Sequence, residues 1–268
     1  DSTMQWVNYN GFPRHTVTIL DAIRRQGNYV NFVACPLTEP QEPAAITAQV
    51  RNADVVIVVG GISPRLEGEE MPVNVDGFRG GDRTDIELPA TQRAVIKALH
   101  EAGKKVVYVN CSGSAIGLVP ESEHADAILQ AWYPGEKGGQ AVAEVLFGDC
   151  NPSGKLPVTF YRDASQLPDF SDYSMPVRNY RDFTGLPLYP FGFGLSYTTF
   201  AYGKPRYAQG TVTVAVTNTG RRAGDEIVQV YIRRPADRQG PIKSLRGFTR
   251  VSLKAGETKM VTIAMPRE

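Results

Sequence analysis

The stretch "LPATQRAVIKALHEAGKKVVYVNC", from Leu88 to Cys111, joins a helix pattern directly to a strand pattern. Its first part has apolar residues at helical spacing, with Pro89 near the first turn and Gly103 beyond the end, which predicts a helix. The continuous apolar run "KKVVYVNC" predicts a strand that is buried on both faces. A helix followed at once by such a strand is typical of an α/β fold.

The same alternation extends to both sides of this stretch. "HTVTILDAIRRQG" predicts a helix with Thr16 as its cap and Gly27 as its stop. The remaining elements are predicted as the strands "YVNFVAC", "DVVIVVGG" and "ADAILQAWY" and the helices "EPAAITAQVRNA" and "EKGGQAVAEVLFGD". We therefore predict a mostly parallel sheet flanked by helices, an α/β sandwich, over residues 1–163.

The pattern changes after about Asp149, where Pro, Ser and Asp become frequent and no helical period remains. Residues 164–203 are predicted to be an extended linker. Residues 204–268 then show short alternating strands, which predict a β-sandwich of the fibronectin type III kind. These strands are "TVTVAVTNTG", "EIVQVYIRRP", "KSLRGFTRVSL" and "TKMVTIAM". Such a sandwich usually has about seven strands, so we expect this domain to be incomplete.

The composition excludes several classes of function. The net charge of +1 gives no electrostatic attraction to nucleic acid or to an anionic membrane. No apolar run approaches the roughly 20 residues of a membrane span, and the first residues do not resemble a signal peptide. The residues alone therefore predict neither nucleic-acid nor membrane partners and leave the compartment open.

The cysteines, Cys35, Cys111 and Cys150, are widely spaced and form no CxxC pair. This spacing favours small buried apolar residues over a disulfide framework or a zinc site. Three histidines with no HExxH motif also argue against a metalloenzyme. No metal or organic cofactor is implied.

The strand "DVVIVVGG" is followed by "RLEGEEMPVNVDGFRGGDRTDIELP", Arg65 to Pro89, which contains Glu67, Glu69 and Glu70. Ligands of parallel sheets bind at the carboxyl ends of the strands, where this loop begins. Three like charges close together favour protonation of one of them, which is what a general acid requires. The residues alone leave open a solvated loop, which is the commoner role of such a cluster.

Two other segments are weaker candidates. "NCSGSAIG" places Ser112 and Ser114 on a Gly-rich turn after a strand, with His124 downstream, but the spacing is not the GxSxG of a nucleophile elbow. Tight packing of small residues explains it better. The aromatic residues of "LYPFGFGLSYTTFAY", Leu188 to Tyr202, could form a sugar-stacking platform or the apolar contact between two domains.

Several longer segments together resemble the multidomain family-three glycoside hydrolases, which are β-glucosidases and β-xylosidases. These segments are "WYPGEKGGQAVAEVLFGDCNPSGKLPVTF", "LYPFGFGLSYTTFAY", "VTNTGRRAGDEIVQVYI" and "LRGFTRVSLKAGETKMVTI", in one collinear order over nearly the whole chain. The resemblance implies a retaining exo-β-glycosidase, which uses one carboxylate as nucleophile and one as acid/base, about 5–5.5 Å apart. It also implies a periplasmic or secreted enzyme.

The resemblance implies a role for individual residues too. The family's nucleophile is an aspartate in a Ser-Asp-Trp-like stretch of a preceding (β/α)8 barrel, and no such stretch occurs here. We therefore expect the chain to begin after the barrel and to end before the last fibronectin strands. The acid/base maps best onto Glu69, with Glu70 and Glu67 as alternates, because extra residues stand at "VNVDGFRG". Asp82 and Arg83 are expected to fix this loop through a local ion pair.

The predicted activity is hydrolysis of terminal non-reducing β-linked sugars, with β-glucosides favoured over β-xylosides. The predicted partners are an oligosaccharide or glycoside substrate and the N-terminal barrel of the same enzyme. The alternative is a non-catalytic carbohydrate-binding or interdomain scaffold module. A serine hydrolase that uses Ser112 or Ser114 is a distant third.

Overall fold

The structure is a computed structural model that describes residues 2–7, 9–26, 29–36, 38–68, 70–175 and 178–265. The chain divides into two compact units, one of Asp1–Leu146 with Tyr161–Gln166 and one of Phe147–Phe160 with Leu167–Glu268. The predicted linker segment thus groups with the second unit from residue 167 onward. The predicted boundaries at 163 and 203 stay a prediction.

The first unit alternates helices and strands. In chain order it contains α1 (Ile19–Arg25), α2 (Pro43–Gln49), β1 (Val55–Gly61), β2 (Asn74–Val75), β3 (Phe78–Arg79), β4 (Asp82–Arg83), α3 (Ala90–Glu101), β5 (Lys105–Cys111), α4 (Val119–His124), β6 (Ala127–Gln130) and α5 (Gly138–Phe147). Short 3₁₀ turns occupy Ser2–Gln5 and Ala164–Gln166.

A parallel sheet of order β1-β5-β6 forms the centre of this unit. Side chains of β5 alternate between its two faces. Val109 and Cys111 pack with buried residues of α1 and α5 on one face, whereas Val106 and Tyr108 are fully buried on the face that carries α3. Helices therefore cover both faces, and the predicted α/β sandwich is confirmed.

The predicted strand "YVNFVAC" is wrong, because no strand pairing occurs within residues 29–36. Tyr29 and Phe32 are 98% and 58% exposed, so these apolar side chains do not pack against the sheet. Strand β1 is consequently an edge of the three-stranded sheet, and Val55 at its start is half-exposed. An apolar run does not make a strand unless a neighbour accepts its backbone hydrogen bonds.

Helix boundaries followed local hydrogen bonds. The cap of α1 is Thr18 and not the predicted Thr16, because the Thr18 hydroxyl accepts from the Asp21 backbone N–H at 3.1 Å. The predicted stop, Gly27, lies outside the described residues. Helix α3 begins after Pro89 and ends before Gly103, as predicted. The short helix α4 lies in a segment that was predicted as a loop.

The second unit is built from antiparallel strands: β7 (Phe200–Tyr202), β8 (Arg206–Ala208), β9 (Thr211–Asn218), β10 (Gly224–Ile232), β11 (Ser244–Leu253) and β12 (Thr258–Ala264). Strands β10 and β11 form one sheet, and β12, β9 and β7 form another, with β8 also paired to β9. Alternate residues of the longer strands pack into one core. Its buried members are Val214, Val216, Val228, Leu253, Val261 and Ile263. The predicted fibronectin type III-like β-sandwich is confirmed, and its four predicted strands correspond to β9–β12.

The three cysteines are free and differ in burial. Cys111 is fully buried in the sheet, and this burial raises the pKa of its thiol to about 12. Cys35 is half-buried, and Cys150 is exposed in the turn after α5, so the predicted burial is wrong for Cys150. Within the described ranges, no helix combines the length and apolar character needed to span a bilayer.

Candidate active site

The candidate site lies at the carboxyl ends of the parallel strands. Because β1, β5 and β6 are adjacent and parallel, the segments that follow them emerge at the same edge of the sheet. The backbone turns sharply at Gly61, whose φ of +118° is a conformation that favours glycine. Ile62 then donates from its backbone N–H to Cys111 O at 2.8 Å, which joins the start of one loop to the start of the next.

Gln92 of helix α3 holds the end of β1 in this position. Its amide accepts from Gly61 N and donates to Gly61 O, both at 2.9 Å. These two hydrogen bonds satisfy backbone groups that an edge strand would otherwise leave unpaired. Gln92 stands in the motif "ELPATQ" and was given no role from the sequence, although a glutamine on an apolar helix face was a usable signal.

The loop that carries the glutamates begins with one helical turn. Leu66 and Glu67 donate from their backbone N–H groups to Ser63 O at 2.9 and 3.2 Å. The Ser63 hydroxyl also accepts from the Arg65 N–H at 3.0 Å, as a helix cap does. This turn fixes the direction of the Glu67 side chain relative to the end of β1.

The extra residues of "VNVDGFRG" supply β2 and β3 of the small antiparallel meander β2-β3-β4. Its two ends are joined because Gly68 donates to Gly81 O at 3.1 Å and Met71 donates to Gly80 O at 2.9 Å. At Gly81 the φ is +91°, and a Cβ there would overlap the Gly68 carbonyl oxygen. The backbone segments on the two sides of the meander therefore meet more closely than any side chain would allow.

Arg83, Ser114 and Glu67 form a hydrogen-bonded chain, which we call the Arg83 cluster. The Arg83 Nη1 donates to Ser114 Oγ at 2.9 Å and to Ala115 O at 3.2 Å. Ser114 Oγ in turn donates to Glu67 Oε1 at 3.0 Å. The cluster connects the loop after β1 with the loop after β5, across 31 and 47 residues of sequence.

The guanidinium of Arg83 is largely buried and only partly paired. Burial lowers its pKa, and the nearby charges of Glu67 and Asp85 oppose that shift. Its Nε and Nη2 are buried and have no hydrogen-bond partner among the described residues. A buried donor without an acceptor is costly, so these two N–H groups are an unusual feature of the site.

The predicted Asp82–Arg83 ion pair is not formed in the described part of the chain. The two residues are consecutive in β4, so their side chains point to opposite faces. Asp82 is exposed, whereas Arg83 points inward to Ser114. A role of Arg83 in fixing the loop, rather than in touching sugar, stays a prediction that its contacts favour.

The three candidate glutamates differ in their surroundings. Glu67 is half-buried and accepts a hydrogen bond from Ser114, whereas Glu70 is exposed with a φ of +49°. A positive φ in a residue other than glycine is strained and is often found at functional sites. Glu69, the preferred acid/base from the sequence, lies outside the described residues.

Other residues at this edge complete the site. The Tyr133 hydroxyl donates to Ile62 O at 2.6 Å, and burial raises the pKa of Tyr133, with the charge of Glu67 adding to the effect. Trp132, two residues after the end of β6, has a φ of +55°. Below them, Ser112 Oγ donates to Ser114 O at 2.9 Å and so supports the turn that carries Ser114.

The serine-hydrolase alternative has no support in these contacts. Ser112 is fully buried and Ser114 donates to a carboxylate, while His124 packs against the ring of His100 at 5.3 Å between centroids. Among the described residues, no hydrogen bond joins either serine to a histidine, which a nucleophile and its base require. No group of three or more His, Cys, Asp and Glu in the described ranges could hold a metal ion.

The aromatic segment of the second unit borders a cavity of about 280 Å³. Phe191 stacks on Tyr180 at 4.0 Å between ring centroids, and Tyr189 stacks on Phe193 at 5.1 Å. Lys243 and five further polar side chains line this cavity, and we call those five the Glu226 cluster: Lys155, Tyr202, Glu226, Gln229 and Tyr231.

The members of the Glu226 cluster bond to one another or to nearby backbone. Glu226 accepts from Tyr202 at 2.7 Å and from Lys155 at 3.3 Å, and Tyr231 donates to Gln229 at 2.6 Å. Gln229 also donates to Gly192 O at 3.1 Å. These contacts anchor the aromatic segment, Leu188 to Tyr202, to β10.

Two family descriptions match the chain. "Glycosyl hydrolase family 3 C-terminal domain" matches residues 1–197, and "Fibronectin type III-like domain" matches residues 226–268. The first match covers most of the chain and includes every residue of the Arg83 cluster.

Individual proteins are similar over most of the chain as well. A xylan 1,4-β-xylosidase of Xylanibacter ruminicola is 57% identical over 82% of this chain and 26% of its own length. A periplasmic β-glucosidase of Salmonella typhimurium is 38% identical over 86% of this chain and 32% of its own length. The solved structure of a β-glucosidase from Erythrobacter marinus matches with a TM-score of 0.81 and 35% identity, over 96% of this chain and 39% of that one. The chain thus spans between about a quarter and two fifths of these proteins.

Proposed function

The chain belongs to glycosyl hydrolase family 3, and we propose that it is the acid/base-carrying part of a retaining exo-β-glycosidase. The observation that carries the proposal is the loop after β1, which leaves the carboxyl edge of the parallel sheet, holds Glu67 there, and carries Glu69 and Glu70 next in the sequence. The loop is held there by Gln92, by the Gly68–Gly81 contact and by the Arg83 cluster. A proton donor has to be held within hydrogen-bond reach of the leaving oxygen, which requires a fixed loop.

The proposed acid/base is Glu69, with Glu70 as the first alternate. As an acid it protonates the leaving glycosidic oxygen while the glycosyl-enzyme forms, and as a carboxylate it then deprotonates the attacking water. Glu67 is the least suitable of the three, because its carboxylate already accepts the Ser114 hydroxyl proton in a hydrogen bond. That hydrogen bond ties the carboxyl group of Glu67 to the loop after β5.

A retaining mechanism needs a second carboxylate as the nucleophile. We propose that an aspartate on a (β/α)8 barrel of the same enzyme, outside the sequence given, supplies it. The two relatives are about four and about three times as long as their matched regions, which leaves room for such a domain. The periplasmic relative supports a periplasmic or secreted location for the enzyme.

The sugar preference is a finer proposal. The sequence favoured β-glucosides over β-xylosides, and relatives of both kinds are found. The relative at 57% identity is named a xylan 1,4-β-xylosidase, so we propose β-xylosides as the first substrate and β-glucosides as the second. The ratio of kcat/KM values for the matched p-nitrophenyl xyloside and glucoside tests this order, because that ratio measures discrimination.

The test of the acid/base assignment uses the whole enzyme that carries this chain. In Glu69→Gln, we expect kcat/KM for a disaccharide to fall by about 10² or more, because its leaving group needs a proton. Activity on a 2,4-dinitrophenyl glycoside should fall far less, since that leaving group departs unprotonated. Glu70→Gln is the matched control on the neighbouring residue. Unchanged hydrolysis of the disaccharide by Glu69→Gln would exclude Glu69, and the same result pattern in Glu70→Gln would assign the role to Glu70.

A non-catalytic carbohydrate-binding module remains the alternative function, and the cavity beside the Glu226 cluster is the feature that favours it. Titration of this chain alone with xylo- and gluco-oligosaccharides, followed by calorimetry, separates the two functions. The module predicts saturable binding by the chain alone, whereas the enzyme part predicts little binding and no turnover without the nucleophile.

A further inference from the structure

We propose that the Arg83 cluster is a positioning device for the acid/base glutamate, in which Arg83, Ser114 and Glu67 set both the location and the protonation of that group. The inference rests on the proposed function, because it assumes that the proton donor is carried by the loop after β1. It assigns Glu67 to positioning and not to proton transfer. It also gives Ser114 a role, although the sequence suggested only an unsuitable nucleophile.

The hydrogen bonds of the cluster can run in only one direction. The guanidinium of Arg83 has no acceptor, so Ser114 Oγ must accept from Nη1. The single hydroxyl proton of Ser114 is then free to be donated to Glu67 Oε1, which accepts it. The chain of bonds therefore leads from the guanidinium of Arg83 through the Ser114 hydroxyl to the carboxyl group of Glu67.

The cluster fixes the loop at a position close in sequence to the proposed proton donor. Glu67 stands two residues before Glu69 in the sequence. On the two sides of this point, Gly68 and Met71 donate their backbone N–H groups to Gly81 and Gly80. Ser114 belongs to the loop after β5, so the bond to Glu67 ties the glutamate loop to a second strand of the sheet. Displacing a catalytic group by about 1 Å can cost 10²-fold in rate, which makes such a tie valuable.

The cluster also sets the charge around the proton donor. Arg83 is the cation of the group, and Glu67, Asp85, Glu87 and Tyr133 are the titratable groups whose charges act on it. A nearby anion raises the pKa of a carboxylic acid, and a nearby cation lowers it. Glu67 and Arg83 therefore act in opposite directions on the pKa of a neighbouring acid, and their removal must shift that pKa in opposite directions.

The unpaired N–H groups of Arg83 explain why an arginine is required. Nη1 donates to Ser114 and Ala115. Nε and Nη2 lie on the other edge of the planar guanidinium, where both are buried donors without an acceptor among the described residues. An arginine edge of this kind binds a carboxylate through two parallel hydrogen bonds. A lysine would restore the charge but could not serve both edges at once.

The experiment compares four variants of the whole enzyme, Ser114→Ala, Glu67→Gln, Arg83→Gln and Arg83→Lys. Asp82→Asn is the matched control, because Asp82 is the exposed neighbour on the opposite face of β4. The measurements are the pH profile of kcat/KM for a disaccharide and for a 2,4-dinitrophenyl glycoside, together with thermal unfolding. The basic limb of the disaccharide profile reports the pKa of the group that must be protonated.

We expect Glu67→Gln to move the basic limb to lower pH and Arg83→Gln to move it to higher pH, each by about half a unit to one unit. Ser114→Ala should lower kcat/KM for the disaccharide about 10-fold and affect the 2,4-dinitrophenyl glycoside less than about threefold. Arg83→Lys should return the limb to its original position while kcat/KM stays reduced. Asp82→Asn should leave both profiles unchanged.

Three results would overturn the inference. The first is an unmoved basic limb in both charge variants with equal losses on the two substrates, which indicates a purely structural role. The second is full activity in Arg83→Lys. The third is loss of the basic limb in Glu67→Gln with recovery of activity by azide, which would make Glu67 itself the acid/base. Failure of the proposed function is recognised separately, because then Glu69→Gln and Glu70→Gln would both hydrolyse the disaccharide normally.

Discussion

The Arg83 cluster of the first unit and the Glu226 cluster of the second unit are both built from polar side chains next to glycine-rich backbone. In the Glu226 cluster, each polar side chain has a partner, and the carboxylate accepts from both Lys155 and Tyr202. In the Arg83 cluster, two buried donors of the guanidinium have no acceptor among the described residues.

The two clusters thus differ in how completely their members are paired. A buried polar network that satisfies all its members stabilises one arrangement of the chain. A network that keeps donors unpaired sacrifices stability, and such sacrifices are commonly found where a protein carries out its function. The two clusters should therefore respond differently to mutation, one through stability and the other through chemistry.

The largest effect on stability is expected when the Glu226 cluster loses its carboxylate. Glu226→Ala leaves the ammonium of Lys155, whose side chain is only 15% exposed, without its counter-charge. Breaking a buried pair in this way should lower the free energy of unfolding by about 3 kcal/mol. Urea unfolding measures it, with Glu257→Ala as the control at a more exposed ion pair. Equal losses in the two variants would mean that the Glu226 cluster is no more than a surface pair.

Substitutions of two glycines test the loop that carries Glu67 of the Arg83 cluster. Gly81→Ala combines a φ of +91° with an overlap of its Cβ on Gly68 O, so we expect a loss of about 2 kcal/mol and a displaced loop. Gly80→Ala has a φ of +62° but open space around the new Cβ, so it should cost about 1 kcal/mol. Unfolding free energies of both variants measure the contact itself. Indistinguishable values would show that the two segments do not need to touch.

Removal of a single hydrogen bond from the Glu226 cluster should have a smaller effect on stability. Tyr202→Phe removes the hydroxyl that donates to Glu226 Oε1 at 2.7 Å. We expect the free energy of unfolding to fall by about 1 kcal/mol, since Lys155 still pairs with the carboxylate. Tyr207→Phe, at an exposed ring in the same unit, should have no measurable effect. A fall of several kcal/mol in Tyr202→Phe would mean that the cluster collapses when one member is lost.

The smallest effect concerns Glu121, a buried carboxylate of the first unit. Glu121 is 1% exposed beside Arg93, and burial raises its pKa above the ordinary value of 4.5, although Arg93 opposes the shift. A raised carboxyl pKa means that the folded state binds the proton more tightly than the unfolded state does. This group therefore favours folding at low pH, and that contribution is lost as the pH rises from about 4.5 through the raised value.

Glu121→Gln should therefore flatten the decline in stability over that pH range. Thermal unfolding at a series of pH values measures it, with Glu123→Gln on the exposed side of the same helix as the control. A steeper decline in Glu121→Gln would mean that the pair with Arg93 outweighs burial.

Much of the fold could be predicted because it is encoded locally. The strands β1 and β5 are continuous apolar runs, and the strands of the second unit alternate, so their periods indicate where they are buried. Helix α3 has a start signal in Pro89 and a stop signal in Gly103. Thr16 and Thr18 are equally good caps in the sequence, and only the position of the first helical turn distinguishes them.

The site could be predicted only in part, because its contacts are distant in sequence. The cluster of glutamates was visible, but the bond between Glu67 and Ser114 spans 47 residues and has no local pattern. Two-residue strands such as β2 and β3 are too short to show a period, so the meander could not be predicted. The pairing of Arg83 with Ser114, and not with its neighbour Asp82, depends on the alternation of a strand that the sequence did not reveal.

The Gly68–Gly81 contact has a consequence for protein engineering. The two ends of the meander already touch, so the chain between residues 72 and 79 closes a loop whose length affects the closure entropy only weakly. Residues could be inserted at the exposed turn by Asp76, between β2 and β3, while the glycines keep the two backbone segments together and Phe78 stays buried beside Arg83. This turn is thus a point beside the proposed catalytic edge where recognition sequences could be inserted without redesigning the scaffold.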